Sequence, residues 1–171
     1  FHFFIFDGEN LITISGLDAV RAINENGQVV GSMNNHAAIW DNGTVIDLGT
    51  LGGPASIAFD ISNSGFVVGQ SYGDGVDFFD HGFVWENDIM NDLGTLGGET
   101  SEARGVSEDG TVVGWSVTED GMNIPFIWNQ GVMDQLETLG GTEGAAYSIN
   151  NNGVIAGTST LPDNTESHAT L

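Results

Sequence analysis

The sequence contains no cysteine and no lysine, and its only basic residues besides four histidines are Arg21 and Arg104. Without cysteine there is no disulfide framework and no thiol chemistry. The 24 acidic residues give a formal net charge of −22, and a field of that sign repels nucleic-acid phosphates and anionic lipid. No apolar run approaches the roughly 18 residues of a membrane-spanning helix. We therefore predict no nucleic-acid partner and no membrane insertion.

Glycine is abundant, with 26 residues, and it marks an internal repeat of about 44 residues. A Gly-x-x-x-Gly segment, mostly Gly-x-Val-Val-Gly, recurs at 27–31, 65–69, 110–114 and 153–157. A segment related to His-Ala-x-x-Trp recurs at 2–6, 36–40, 81–85 and 124–128, and a fifth begins at His168. A third element, related to Leu-Gly-Thr-Leu-Gly-Gly, recurs at 48–53, 93–98 and 136–141.

Each copy of the repeat has the pattern of four short antiparallel strands. Side chains in 36–40 alternate between two faces, and both faces carry apolar residues, as in a sheet covered on both sides. Asp-Asn-Gly at 41–43 and Ser-Asn-Ser-Gly at 62–65 are typical hairpin turns. No stretch has a helical period, so the sequence predicts an all-β protein.

Sheets repeated at this period must cover both faces, and either a radial propeller or a linear solenoid does so. Four hairpin-linked strands per copy favour the propeller. We predict a β-propeller of four four-stranded antiparallel blades, complete or part of a larger propeller, in one repeat domain over 1–171. The predicted copies are approximately 1–33, 34–78, 79–122 and 123–166, followed by a fifth first strand at 167–171.

The three elements together resemble the HAF repeat of extracellular bacterial and archaeal proteins. The resemblance covers essentially the whole chain, with departures in the middle of the first copy and at Ile124, which replaces the histidine of the fourth copy. It implies secretion or surface display, and it implies no particular activity. The turns before the fourth strands are also similar to the Asp-box hairpins of sialidase-type propellers.

The first strands carry two sets of side chains with alternative interpretations. Their histidines suit a metal ligand or proton carrier, but Ile124 at the same position favours a structural hydrogen bond to a neighbouring blade. Packing between blades is the main interpretation of the aromatic register, and carbohydrate stacking is its alternative. The aromatic residues are Phe6, Trp40, Trp85 and Trp128.

Acidic links join the fourth strand of one copy to the first strand of the next, and we expect them to share one face with the Leu-Gly-Thr-Leu-Gly-Gly loops. Ca²⁺ is the only cofactor that they suggest, the alternatives being a solvated acidic rim or adaptation to a saline habitat. The glycine loops lack the Lys-Ser/Thr of a phosphate-binding loop, so we interpret them as structural turns. The candidate metal residues are Asp74, Asp77, Asp80, Glu119 and Asp120, with Asp163 and Glu166 in the last link.

No converging set of catalytic groups is evident, so we predict no catalytic residue. The sequence favours an extracellular, non-enzymatic binding or assembly module, such as a surface or filament protein, with an acidic loop face. Its predicted partners are further copies of itself, another extracellular protein or a glycan. The alternative is a carbohydrate-binding or carbohydrate-active propeller in which Asp60 and Asp134 act across a central pocket.

Overall fold

A computed structural model describes residues 2–74, 79–162 and 167–170 of the chain. Every helix or strand assigned in these residues is a β-strand, which confirms the all-β prediction. The strands are β1 (Phe3–Phe6), β2 (Leu11–Ile14), β3 (Ala19–Ile23), β4 (Val29–Met33), β5 (His36–Asp41), β6 (Thr44–Gly49), β7 (Gly52–Ile61), β8 (Val67–Gly73), β9 (Asp80–Glu86), β10 (Ile89–Asp92), β11 (Gly97–Val106), β12 (Val112–Thr118), β13 (Asn123–Asn129), β14 (Val132–Gln135), β15 (Gly144–Ile149), β16 (Ile155–Thr160) and β17 (Ser167–Thr170).

The described strands form five antiparallel sheets that follow one another along the chain. Sheet I contains β1 and β2, sheet II contains β3 to β6, and sheet III contains β7 to β10. Sheet IV contains β11 to β14, and sheet V contains β15 to β17. Each strand pairs with the next one in sequence within its sheet. The structure thus has three complete four-stranded sheets and two smaller ones where four blades were predicted.

The boundaries of the sheets differ from those of the predicted copies. Each four-stranded sheet combines the third and fourth strands of one copy with the first and second strands of the next. The prediction that one copy makes one sheet was therefore wrong. The physical reason is that the link after the fourth strand of each copy closes a hairpin within one sheet. The glycine-rich loop after the second strand of a copy instead carries the chain across to the next sheet. For the same reason β17 is not isolated, because it pairs with β16.

The hairpins within the sheets have the backbone geometry that their sequences predict. Asn42 and Gly43 join β5 to β6 with φ angles of 49° and 92°. Asn34 and Asn35 join β4 to β5 with φ angles of 51° and 68°. Two successive residues with positive φ match the right-handed twist of the flanking strands, and Asn and Gly tolerate that conformation best.

The hydrophobic core is divided into layers between neighbouring sheets. Val30, Ile39 and Phe83 belong to the layer between sheets II and III, and Phe83 is fully buried. Val84 and Phe126 belong to the equivalent layer between sheets III and IV. Each four-stranded sheet therefore has apolar side chains on both faces, as its sequence predicts.

The sheets stack through their first strands. β7 lies against β3, β4 and β5 of sheet II, and β11 lies against β7, β8 and β9 of sheet III. β15 makes the equivalent contacts with β11, β12 and β13 of sheet IV. The first strand of each of sheets III to V thus lies against three strands of the preceding sheet. In the described residues no helix has the length and apolar character needed to cross a membrane.

The turns that precede the second strands form a hydrogen-bonded column at one end of the sheets. Glu25 N donates to Asn63 Oδ1 at 2.8 Å. Asn63 N and Ser64 N donate to the Glu108 carboxylate at 3.0 and 2.8 Å. Glu108 N in turn donates to Asn151 Oδ1 at 3.1 Å. These polar turns therefore connect neighbouring sheets from II to V.

Candidate functional site

The first strand of each of sheets II to V, namely β3, β7, β11 and β15, contains a β-bulge at the same position of the repeat. In β11, Ala103 pairs with Gly114 and Gly105 pairs with Val113, so Arg104 is the extra residue. A bulge bends the strand and redirects its side chain, and bulges are frequent next to functional sites. The four bulge residues, which we call the bulge column, are Arg21, Phe59, Arg104 and Tyr147.

The bulges explain the second glycine of the repeated Gly-x-Val-Val-Gly segments. A Cβ atom at Gly69 would collide with the carbonyl oxygen of Ile57, and one at Gly114 would collide with that of Glu102. Only glycine lets the two backbones approach this closely. The second glycine of each segment is therefore a consequence of the bulge.

The bulge column holds both arginines of this strongly acidic chain, alternating with two aromatic residues. The Arg104 guanidinium lies 4.4 Å from the centroid of the Phe59 ring, on the first strand of the neighbouring sheet. Arg104 Nε donates to Glu102 Oε1, which also accepts a 2.9 Å hydrogen bond from Trp115 Nε1. The cation is thus held in a fixed orientation by a ring face and a carboxylate.

An open cleft of about 280 Å³ lies beside this group, between sheets IV and V. We call it the IV–V cleft. Its aromatic lining consists of Trp115 and Tyr147, and Tyr147 is 49% exposed. Arg104, Asn123 and Glu143 supply polar groups. The cleft therefore combines ring surfaces with hydrogen-bond donors and acceptors.

A second carboxyl lies near Glu102 on the neighbouring sheet. Asp80 accepts a 3.2 Å hydrogen bond from Gln70 Nε2, whereas its buried Oδ1 has no partner among the described residues. Burial raises the pKa of Asp80, the negative charge of Glu102 raises it further, and His81 partly offsets the rise. These effects favour the protonated form of Asp80.

The glycine-rich loops and the acidic links lie at the same end of the sheets, as predicted. Leu51 forms a bridge with Gly73, and Leu96 forms the equivalent bridge with Thr118. Leu51 N donates to the buried Ser71 Oγ at 2.8 Å, and Thr50 Oγ1 donates to Gly53 O at 2.9 Å. The loop amide of Leu51 and the Thr50 hydroxyl are thus engaged within the protein, which agrees with a structural turn.

The residues predicted to bind calcium are spread along the links at this end. Asp74, Glu119 and Asp120 are exposed, and Asp80 is part-buried at the start of β9. Asp77, Asp163 and Glu166 lie outside the described residues. Within 2–74, 79–162 and 167–170 no group of three or more His, Cys, Asp or Glu residues has the arrangement of a metal site. Calcium binding stays a prediction.

Two of the repeat histidines, His36 on β5 and His81 on β9, pair with aspartates of the adjacent strand. His36 Nδ1 lies 3.0 Å from both oxygens of Asp47, and His81 Nδ1 lies 2.9 Å from Asp92 Oδ2. The side-chain partner of each of these histidines is thus in the same sheet, whereas the sequence predicted a hydrogen bond to a neighbouring blade. The hydrogen bond to Asp92 raises the pKa of His81 despite partial burial, and the backbone of Glu99 in the next sheet contributes.

The aromatic residues of β1, β5, β9 and β13 differ in how far they are buried. Trp40 is 4% exposed in the core between sheets I and II. Trp85 and Trp128 are part-buried and pack against the cores on either side of sheet III. Phe6, in contrast, is 60% exposed. Three of these rings therefore contribute to the layers between sheets.

The structure places Asp60 and Asp134 at different edges of neighbouring sheets. Asp60 lies on β7, the first strand of sheet III, where it accepts hydrogen bonds from Ile61 N and Val106 N. Asp134 is exposed on β14, the fourth strand of sheet IV. This arrangement does not bring the two carboxylates together.

Sequence reasoning missed the bulge column and the IV–V cleft. The available signal was that Arg21 and Arg104 occupy the same position of the repeat, six residues before the glycine of the following turn.

A comparison of the chain with protein-family models, curated proteins and solved structures gave no match.

Proposed function

We propose that this chain is an extracellular, non-enzymatic binding or assembly module of the HAF-repeat type, with sheets arranged as blades of a β-propeller. The contacts among β3, β7, β11 and β15 support the propeller, because the innermost strands of propeller blades converge on a central axis. The acidic link loops form one face of the module, and Ca²⁺ remains its candidate ion.

One observation carries the non-enzymatic assignment: the repeated polar side chains are engaged in structural hydrogen bonds. Ser56 Oγ, for example, accepts from Ala37 N at 2.7 Å and donates to Gly49 O at 2.5 Å, both in the preceding sheet. Ser101 makes the same two bonds with Gly82 and Gly94. Side chains that differ among the copies gather at the IV–V cleft instead, and such positions are suited to recognition.

The test is a pull-down on insoluble polysaccharides together with an assay for released reducing ends. We expect retention of the full chain on at least one polymer or on an extracellular protein, without product formation. Hydrolysis of any polymer would contradict the non-enzymatic assignment and support the carbohydrate-active alternative.

Self-association is a second candidate function, favoured by the apolar surface of sheet I. Phe4 and Leu11 are 64% and 68% exposed, whereas Ala38, at the position equivalent to Phe4 in sheet II, is fully buried. The edge of β1 opposite β2 has no strand partner among the described residues. Such an edge accepts a strand from another molecule.

Light scattering tests the assembly function. We expect concentration-dependent oligomers from the full chain, and smaller particles from the double variant Phe4→Ser, Leu11→Ser. Assembly could also use β17 as the strand that one molecule adds to a sheet of the next. Removal of residues 168–171 tests this form of assembly, because those residues contain most of β17. An unchanged mass in both variants would discard assembly through these strands.

A further inference from the structure

We propose that the IV–V cleft binds a neutral saccharide, with Trp115 and Tyr147 as ring contacts and Arg104 as a hydrogen-bond donor. This inference rests on the proposed binding function and names its ligand class. It follows from the aromatic surfaces, the polar groups and the charge balance of the cleft, and from comparison with the matched cleft between sheets II and III.

The two aromatic side chains are presented in ways that suit an external ligand. The Trp115 indole is oriented by its hydrogen bond to Glu102, so its ring face does not need to be ordered on binding. Tyr147 is a bulge residue, and half of its surface is exposed although it is a large aromatic residue. Ring faces of this kind accept the C–H face of a pyranose.

The polar groups of the cleft offer both donors and acceptors. The Nε atom of Arg104 is used by Glu102, and its two terminal amino groups are the donors that a ligand meets. The exposed Asn123 amide can donate and accept, and the exposed Glu143 carboxylate accepts. Each sugar hydroxyl is both a donor and an acceptor, so neighbouring hydroxyls fit this mixed set.

The charges around the cleft argue for a neutral ligand. Glu102 balances Arg104, and Glu143 adds a negative charge within a chain of net charge −22, so an acidic sugar would be repelled. An uncharged polyol avoids this repulsion, and its hydroxyls can accept hydrogen bonds from the Arg104 guanidinium.

The cleft between sheets II and III is an internal reference for this assignment. It has a similar volume of about 230 Å³ and uses equivalent strands. Ser32 stands there at the position of Trp115, and Ala55 stands at the position of Glu143. The same scaffold therefore occurs without a ring at the Trp115 position and without a carboxylate at the Glu143 position, and Tyr72 and Asp80 line that cleft at other positions. The two clefts thus present different surfaces to a ligand.

The experiment uses the full chain on an array of neutral cello-, xylo-, manno- and malto-oligosaccharides with oligogalacturonates as acidic probes. The strongest neutral probe is then titrated by calorimetry. Tyr147→Ala should weaken binding by at least about tenfold, as expected for loss of a central aromatic contact. The matched control is Tyr72→Ala in the cleft between sheets II and III, which should leave affinity unchanged.

Trp115→Ala should also weaken binding, and its thermal unfolding is measured in parallel because the indole is part-buried. If the Trp115→Ala variant unfolds, the Tyr147→Ala variant still tests the site, because Tyr147 is half exposed and its removal should leave the fold intact. Equal affinity of the Tyr147→Ala and native chains would overturn the site while leaving the binding function intact. Binding of oligogalacturonates alone would overturn the neutral ligand class. Binding of an extracellular protein but of none of these sugars would overturn this inference alone.

Discussion

The carboxylate of Asp60 accepts a 3.0 Å hydrogen bond from Val106 N and so joins the first strands of sheets III and IV. Its other oxygen accepts from Ile61 N at 2.9 Å. At the next interface the equivalent residue is Gly105, whose backbone lies so close to Ser148 that a Cβ atom would come within 2.9 Å of its Cα atom. Neighbouring sheets are thus connected by a side chain in one place and by direct backbone packing in another.

Asp60→Ala should destabilise the chain by about 1–3 kcal/mol, because it leaves the Val106 N–H without its acceptor. Asp60→Asn is the control, since it retains an acceptor oxygen. Burial raises the pKa of Asp60, and the bonds from Val106 and Ile61 only partly offset this rise. The native chain should therefore gain stability relative to Asp60→Asn as the pH falls from the raised pKa toward 3.8. Urea unfolding across this range measures both effects.

The bulge predicts different costs for two glycines of β8. Gly69→Ala should destabilise by about 1–3 kcal/mol, because its Cβ atom meets the Ile57 carbonyl. Gly73→Ala, where a Cβ atom has nothing within 4 Å, should stay within about 0.5 kcal/mol of the native chain. Equal costs in denaturant unfolding would contradict the close approach of the two strands.

The aromatic register should give a graded series in thermal and chemical unfolding. Trp40→Ala should cost about 3–5 kcal/mol because the ring is buried, and Trp85→Ala should cost less. Phe6→Ala should change stability by less than about 1 kcal/mol since Phe6 is mostly exposed. Trp40→Phe is the matched control, because it keeps a ring and removes a buried N–H that has no partner in the described residues.

The His81–Asp92 pair predicts a small pH dependence of stability. Because the hydrogen bond to Asp92 raises the pKa of His81, its contribution is complete below the unfolded value of 6.5 and is lost as pH rises through the raised value. Burial raises the pKa of Asp92, but its bonds to His81 and Gly94 outweigh this, so the net pKa is lowered. The Asp92 contribution is lost as pH falls below 3.8 through that lowered value.

Both contributions should be less than about 1 kcal/mol, since the pair is partly exposed and screened by solvent. The double variant His81→Ile, Asp92→Gln copies Ile124 and Gln135 of the next sheet. It should flatten the curve of unfolding free energy against pH from 6.5 upward. A curve identical to that of the native chain would show that the pair has no such role.

The net charge of −22 predicts stabilisation by cations. The thermal midpoint should rise with NaCl, because salt screens repulsion among the carboxylates. CaCl2 at millimolar concentration should raise it further than MgCl2 at the same ionic strength if the link loops bind calcium as predicted. Equal midpoints in the two salts would remove the calcium hypothesis, and an unchanged midpoint in NaCl would contradict general screening.

The sequence by itself determined the strands, the hairpin turns and the repeat. Alternation in 36–40 and the Asn-Gly turn at 42–43 depend on local backbone geometry, so they could be predicted from neighbouring residues. The end of the sheets at which the acidic links and glycine loops meet was also predictable, because antiparallel strands alternate their ends.

Only the tertiary structure decided which strands share a sheet and where the bulge residues lie. A link that closes a hairpin and a loop that crosses to the next sheet are both short connections between strands, so local sequence does not show which flanking strands will pair. Arg104 and Phe59 are distant in sequence and are bulge residues of two different sheets, and they meet where the Arg104 guanidinium lies over the Phe59 ring. Their proximity depends on how two twisted sheets stack, which is a property of long-range packing rather than of any single repeat.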